Sequence, residues 1–376
     1  MPEVSTGVSI GSNIFEEANR QLIICNACRY CEGFCPVFRA IETRRQFGKG
    51  DVFYLSNLCH DCRACYYACM YSPPHEFAIN IPQILSEARV ASYQHWSWPA
   101  LLARSFKERR VRTLLAGSVI ALVAVLAMIL VPADRLFAAQ TGPGAFYRIV
   151  PYLAMVIPAV TLVFYGFLIW SRSALRFWSE TTDTKTEAGG LREIVTALAD
   201  AMALRYLKGG GPGCTYPEES PSESRRVYHA LVFWGFLADF ISTTLAYIYQ
   251  DLLHWLPPYP LTSGPVVFGS LGGIAIIIGV TGLIGLKLKS DRAPEGAGAY
   301  GLDYTFLIVL GLTALTGMLT LVLRETSALG SLLIAHLALV AALFLTAPYG
   351  KFVHALYRTL ALVKYHAEEK QAARSV

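Results

Sequence analysis

The sequence predicts a mostly α-helical membrane protein: a cysteine-rich segment, residues 1–113, followed by six transmembrane helices within residues 114–376. Three observations predict this. Hydrophobic residues make up 54% of the 376 positions and the mean hydropathy is +0.42, too apolar for an ordinary soluble chain. The first 113 residues are mixed and charged, whereas the remainder falls into long apolar runs. Eight of the nine cysteines lie between Cys25 and Cys69.

The N-terminal segment opens on Met1 to Leu22, a polar stretch without the apolar core of a secretory signal. It is therefore expected to stay on the side where it is made, where a reducing compartment favours metal ligation over disulfides. Cys25-x2-Cys28-x2-Cys31-x3-Cys35-Pro36 is followed by a second block of the same spacing, Cys59-x2-Cys62-x2-Cys65-x3-Cys69. Three thiolates so spaced wrap one face of an iron–sulfur cubane, and the displaced fourth reaches the other cluster, as in two-cluster ferredoxins. The expected ligand sets are Cys25, Cys28, Cys31 and Cys69 for one [4Fe–4S] cluster, and Cys59, Cys62, Cys65 and Cys35 for the other. Structural zinc is the competing reading, but zinc sites usually pair CxxC units across a longer span. Met70 stands where proline follows Cys35 in the first block. His60, inside the second block, could tune a potential by hydrogen bonding; it reads more simply as a solvated loop side chain.

A bilayer crossing needs about 20 apolar residues. Six stretches qualify: Leu114–Ala133, Val150–Trp170, Tyr228–Gln250, Gly264–Leu286, Tyr304–Leu323 and Gly330–Pro348. Asp239 in the third is the one charged residue within them. Glycines 269, 272, 273, 279, 282 and 285 in the fourth suggest close helix packing. Trp170, Trp178, Trp255, Tyr259 and Tyr349 lie near span ends, where amphipathic rings favour the interface. With the N-terminal segment inside, 29 of the 32 Lys and Arg residues fall on that side. The positive-inside rule then places both termini in the cytoplasm. Lys107, Arg109, Arg110 and Arg112, just before the first span, read as headgroup contacts. The inside loop 171–227 holds a helical stretch, Leu191–Leu207, then Gly209-Gly210-Gly211-Pro212-Gly213-Cys214. This glycine run lacks the lysine and preceding strand of a phosphate loop and reads as a flexible turn. Cys214 reads as a buried thiol.

Histidine within a membrane is costly unless it has a function. His229 begins the third span and His354 follows the sixth, both at the inner side, whereas His254 and His336 belong to the outer half. His336 and His354, five helical turns apart, would be separated by roughly 27 Å on a continuous helix and cannot share one iron. Depth therefore pairs His229 with His354 as axial ligands of a haem b. His354 beside Lys351 also suits an interfacial histidine, and His336 a packing residue. A second haem would need His336 with a partner such as His254, which lies beyond its span beside Trp255 and Pro257.

Both cysteine blocks, Pro73-Pro74-His75-Glu76-Phe77, Arg225-Arg226-Val227-Tyr228-His229 and Pro348-Tyr349-Gly350-Lys351-Phe352-Val353-His354 together resemble the tricarballylate (citrate) utilisation protein B family. The likeness covers nearly the whole chain. It implies a protein of the bacterial inner membrane that reoxidises the reduced flavin of a soluble FAD-dependent dehydrogenase, such as tricarballylate dehydrogenase. Electrons would pass through the clusters and haem to the quinone pool. A fused relative is associated with cobalamin synthesis. The membrane half is also similar to the haem b subunit of respiratory nitrate reductase, which carries a deeper histidine on the equivalent of the third span. Asp239 is the polar residue near that depth here.

The chain has no GxGxxG nucleotide fold of its own, so substrate choice is expected to reside on the flavoprotein. The net charge of +5, without basic–aromatic motifs, argues against nucleic acid. Two other functions compete with electron transfer. One is a transporter that senses redox state, for which no inverted repeat is visible. The other is an enzyme resembling heterodisulfide reductase, which favours an open cluster position, whereas eight cysteines complete both clusters.

Overall fold

A computed structural model of the protein describes residues 13–182, 189–208 and 213–374. Met1–Ser12 and residues 209–212, where the glycine run reads as a flexible turn in sequence, lie outside the described residues. The cysteine-rich part comprises α1 (Asn13–Cys28), α2 (Pro36–Glu42), α3 (Lys49–Leu58), α4 (Ala64–Tyr67), α5 (Ile81–Trp96) and α6 (Ala100–Ser105). Pro36 occupies the first turn of α2, where its missing N–H costs no bond. Asn80 caps α5 by accepting from Gln83 N.

Among the described residues, six helices are long and apolar enough to cross a membrane. The first two are α7 (Arg109–Leu130) and, after the short α8 (Ala133–Leu136) and α9 (Ala145–Ile149), α10 (Tyr152–Thr181). Next comes α11 (Leu191–Met202), then a two-stranded antiparallel ribbon of β1 (Cys214–Thr215) and β2 (Pro221–Ser222). The other four crossings are α12 (Ser224–Tyr247), α13 (Gly264–Lys289), α14 (Ala297–Val322) and α15 (Leu329–Thr346); α16 (His354–Arg374) ends the chain. The protein is thus mostly α-helical and multi-pass. Its outward apolar residues, such as Leu153, Ile157 and Phe164 of α10, are exposed as lipid contacts require.

Several helices outrun their apolar stretches. The second continues to Thr181 because its last three turns face protein: Ser173, Phe177 and Thr181 are buried. Trp96 of α5 is fully buried and meets both Phe177 and Tyr357 of α16 with ring centroids 5.0 Å apart. Aromatic pairs of this kind add about 0.5–1.5 kcal/mol each beyond area burial. The cysteine-rich helices, the end of α10 and α16 therefore share one core. Arg44 clamps it, bonding Asp51 at 2.7 Å and Glu368 of α16 at 2.5 Å.

The glycines of α13 act unequally. A side chain on Gly279 would meet Tyr228 O at 2.7 Å, and one on Gly273 would meet Met318 at 2.8 Å. Gly272 faces Gly235 and Asp239 of α12, and Gly282 the Tyr228 ring, whereas Gly285 faces open space. The α12–α13 seam is thus built from small residues, as expected where apolar lipid gives no driving force for packing.

Two interfacial readings need correction. Arg112 is 4% exposed: it donates to the carbonyls of Phe106 and Lys107, inside the protein. Tyr349 is buried, bonding Tyr165 Oη at 2.5 Å and Trp98 O at 3.0 Å. Trp170 keeps partial exposure while it stacks on Phe352, the ring planes 13° apart.

Candidate redox centres

α1 ends at Cys28, and Arg29 turns the chain through the left-handed region with its N–H on Cys25 O. Cys35 then stands at the entrance to α2. The second block makes the same kind of turn with Asp61 and Arg63 at positive φ. These reversals curl each Cys-x2-Cys-x2-Cys run back on itself.

The result is two adjoining hollows. One is lined by Cys25, Cys28, Cys31 and Cys69. The other is lined by Cys35, Cys59 and Cys62, and Cys65 lines both. The fourth cysteine of each block thus lines the hollow of the other block. Among the described residues no three Cys, His, Asp or Glu side chains gather tightly enough for one metal ion. The thiols ring wider spaces, the arrangement a cubane needs.

The thiol chemistry fits the same group. Burial, then the neighbouring Cys69, Cys31 and Cys28, push the Cys25 thiol up to about 12. Burial, with Cys62 and Cys59 close by, pushes Cys35 well above the usual range. Crowded buried thiolates repel one another, and bound iron supplies the positive charge that relieves them. Backbone N–H groups of Asp61 and Tyr71 donate to the sulfurs of Cys59 and Cys69, each at 3.4 Å.

Arginines bracket the second block. Arg89 donates to Cys59 O at 2.6 Å, Arg358 to the same oxygen at 2.7 Å, and Arg225 to Asp61 O. His60 is not solvated: it is half-buried against Tyr206, with ring centroids 5.5 Å apart. Burial, then Arg358 and Arg89, hold it well below the ordinary histidine range. Cys214 is fully buried, its Sγ 2.7 Å from Leu207 O, and it packs beside Cys62.

The histidines separate cleanly. His229, in the second turn of α12, and His354, at the start of α16, have ring centroids 6.2 Å apart with planes at 86°. A metal about 2 Å from a nitrogen of each imidazole requires centroids about 6 Å apart. His354 Nδ1 donates to Lys351 O at 2.6 Å, which leaves Nε2 for a ligand. Burial, then Lys351 and His229, keep His354 neutral, the form that binds metal. His229 Nδ1 is buried without a hydrogen-bond partner. This pair fits a bis-histidine haem. His336 is elsewhere, its Nδ1 on Thr313 O at 3.1 Å, and His254 sits in an exposed loop. The helix does not continue from His336 to His354: α15 ends at Thr346, and a 3₁₀ turn, Lys351–Val353, leads into α16.

Some residues here carried no sequence signal. Arg358 is one helical turn past His354, and nothing in its spacing points to Cys59. Lys287, Glu295, Asp303 and Lys351 pair through the fold alone, Lys351 with Asp303 at 2.8 Å and Lys287 with Asp303 at 3.1 Å.

The family profile described as Citrate utilization protein B matches residues 105–375. The Citrate utilization protein B Fer4-like domain matches residues 18–95. The Citrate utilization protein B of Escherichia coli is 41% identical over 365 residues, covering 96% of this chain and 94% of that protein. No solved structure matches the chain. The cysteine-rich part is accordingly a Fer4-like, iron–sulfur type of domain, and the chain belongs to the citrate utilization protein B family.

Proposed function

We propose that this protein reoxidises the reduced flavin of a soluble dehydrogenase and delivers the electrons to membrane quinone, serving citrate or tricarballylate use. The observation that carries the reading is the alignment of three candidate centres. The hollow of Cys25, Cys28, Cys31 and Cys69 is the outermost, with Cys28 exposed. The hollow of Cys35, Cys59, Cys62 and Cys65 adjoins it. α16 then joins the second hollow to the histidine pair: His354 begins that helix, and Arg358, about 6 Å further along, holds Cys59 O.

In this reading two [4Fe–4S] clusters and one haem b supply one-electron redox chemistry when bound. The chain's own residues position and insulate them. Cys25, Cys28, Cys31 and Cys69 hold the first cluster; Cys59, Cys62, Cys65 and Cys35 hold the second; His229 and His354 hold the haem. Tyr30, Met70 and Phe77, exposed around the first hollow, offer the flavoprotein an apolar docking face. The 29 to 3 division of Lys and Arg supports residues 1–113 and both termini on the cytoplasmic side of the bacterial inner membrane. Protease added to inverted vesicles is expected to cut the cysteine-rich part. Protection there, with cleavage in intact spheroplasts, would reverse the orientation.

Cluster assignment is tested by Cys35→Ser in anaerobically purified protein. Paramagnetic resonance of the reduced variant is expected to show loss or alteration of one cluster signal, that of the Cys59, Cys62 and Cys65 site. The other cluster and the haem absorbance should persist. A change confined to the cluster held by Cys25 would overturn the crossed ligand pattern.

A further inference from the structure

A partly open cavity lies where the starts of α7 and α14 meet the end of α15 and the Lys351–Val353 turn. All these ends are on the cysteine-rich side of the bundle, since α14 begins against Ser86 and α15 leads into α16. Its walls are mainly apolar, among them Phe306, Val309, Leu343 and Phe352. Two cations interrupt them, Arg112 and Lys351. Arg112 is 4% exposed, and its Nε is buried without a hydrogen-bond partner. The Lys351 side chain keeps 22% exposure while Asp303 fixes its Nζ at 2.8 Å.

We propose that this cavity is the quinone headgroup site. Apolar walls interrupted by a few fixed donors are what a small flat dione needs for binding and orientation. Arg112 and Lys351 offer N–H donors for a quinone carbonyl at a depth where lipid would leave it unpaired. The isoprenoid tail would run out into lipid along α7 and α14. The position suits electron delivery: the turn that presents Lys351 and Phe352 to the cavity also accepts the His354 Nδ1 hydrogen bond. The assignment rests on the quinone-reductase reading and adds a place and named residues to it.

The test uses full-length protein in nanodiscs and a short-chain ubiquinone analogue, with binding read by quenching of tryptophan fluorescence. Ala116 lies in the cavity wall on α7. Ala116→Phe should fill the cavity and weaken binding about tenfold or more, at unchanged haem and iron content. Lys351→Met should weaken binding severalfold through the lost donor. A photoreactive azidoquinone on the unmodified protein, which needs no variant to fold, should label peptides around residues 112–116 or 302–309. Wild-type binding with no loss in either variant, or labelling confined to α12 and α13, would overturn this site while leaving quinone as the acceptor. Labelling of the cavity by a photoreactive phospholipid but not by quinone would overturn it in favour of a lipid headgroup. No quinone binding to the wild type would overturn this site and the acceptor assignment together.

Discussion

Alanine at His354 is expected to abolish the b-type absorbance of the purified protein, and alanine at His229 to do the same. Iron and acid-labile sulfide should stay at wild-type levels. Each side chain comes from a different helix, and no other histidine is within reach: His366, three turns further along α16, is bound to Asp200, His336 of α15 is bound to Thr313, and His254 is in a loop past α12. Loss of one imidazole therefore leaves an iron with a single protein ligand. Quinone reduction should fall to background in both variants, while reduced flavoprotein still bleaches the clusters. His336→Ala should keep its haem. Pyridine-haemochrome assays on the three proteins decide the matter. A full haem content in both His229→Ala and His354→Ala, or loss in His336→Ala alone, would move the centre to the other half of the bundle. Imidazole added to a His354→Gly variant should restore part of the absorbance, a response that simple misfolding does not give.

The division into a cysteine-rich part and six crossings was legible because each rests on a local signal. Cysteine spacing is read along one short stretch, and a bilayer crossing is read from one apolar run. The histidine pair was reached by depth alone, and the structure brings those two rings within 6.2 Å. What escaped the sequence depends on partners distant along the chain. Lys287 lies one residue beyond the fourth apolar run and Asp303 one residue before the fifth. Both fall outside the apolar runs, yet both lie on helices and face each other. Arg112 looked like a headgroup anchor because its neighbours Arg109 and Arg110 are exposed; the turn after α6 supplies the carbonyls that bury it. His60 looked solvated because α16 and its Arg358 are far away in sequence. Helix ends were misread for the same reason. An apolar run marks where lipid contact stops, whereas α10 continues until its contact with Trp96 stops.

Asp303→Ala is expected to cost roughly 3–5 kcal/mol of stability, the range for breaking a buried ion pair from one side. Asp303 is one of two anions in a chain of five buried or half-buried charges, and it bridges two lysines. Arg63, between Cys62 and Cys65, faces Glu295 at 3.5 Å; Glu295 bonds Lys287; Lys287 and Lys351 share Asp303. Lys287 would still have Glu295 after the substitution, whereas Lys351 would lose its ion-pair partner. Burial already pushes the Lys351 ammonium down, and Asp303 is the main influence holding it up. The loss should therefore appear as a lower melting temperature in detergent, well outside the ±0.5 kcal/mol of ordinary surface changes. Asp303→Ala combined with Lys351→Met removes both charges and should recover much of that stability, because an apolar replacement of a whole buried pair is often neutral. Equal melting temperatures for Asp303→Ala and wild type would show that Lys351 finds water instead. Equal deficits in the single and double variants would show that Asp303 acts through Lys287. The double variant also separates stability from binding: its fold should be restored, but without the Lys351 ammonium its quinone affinity should remain low.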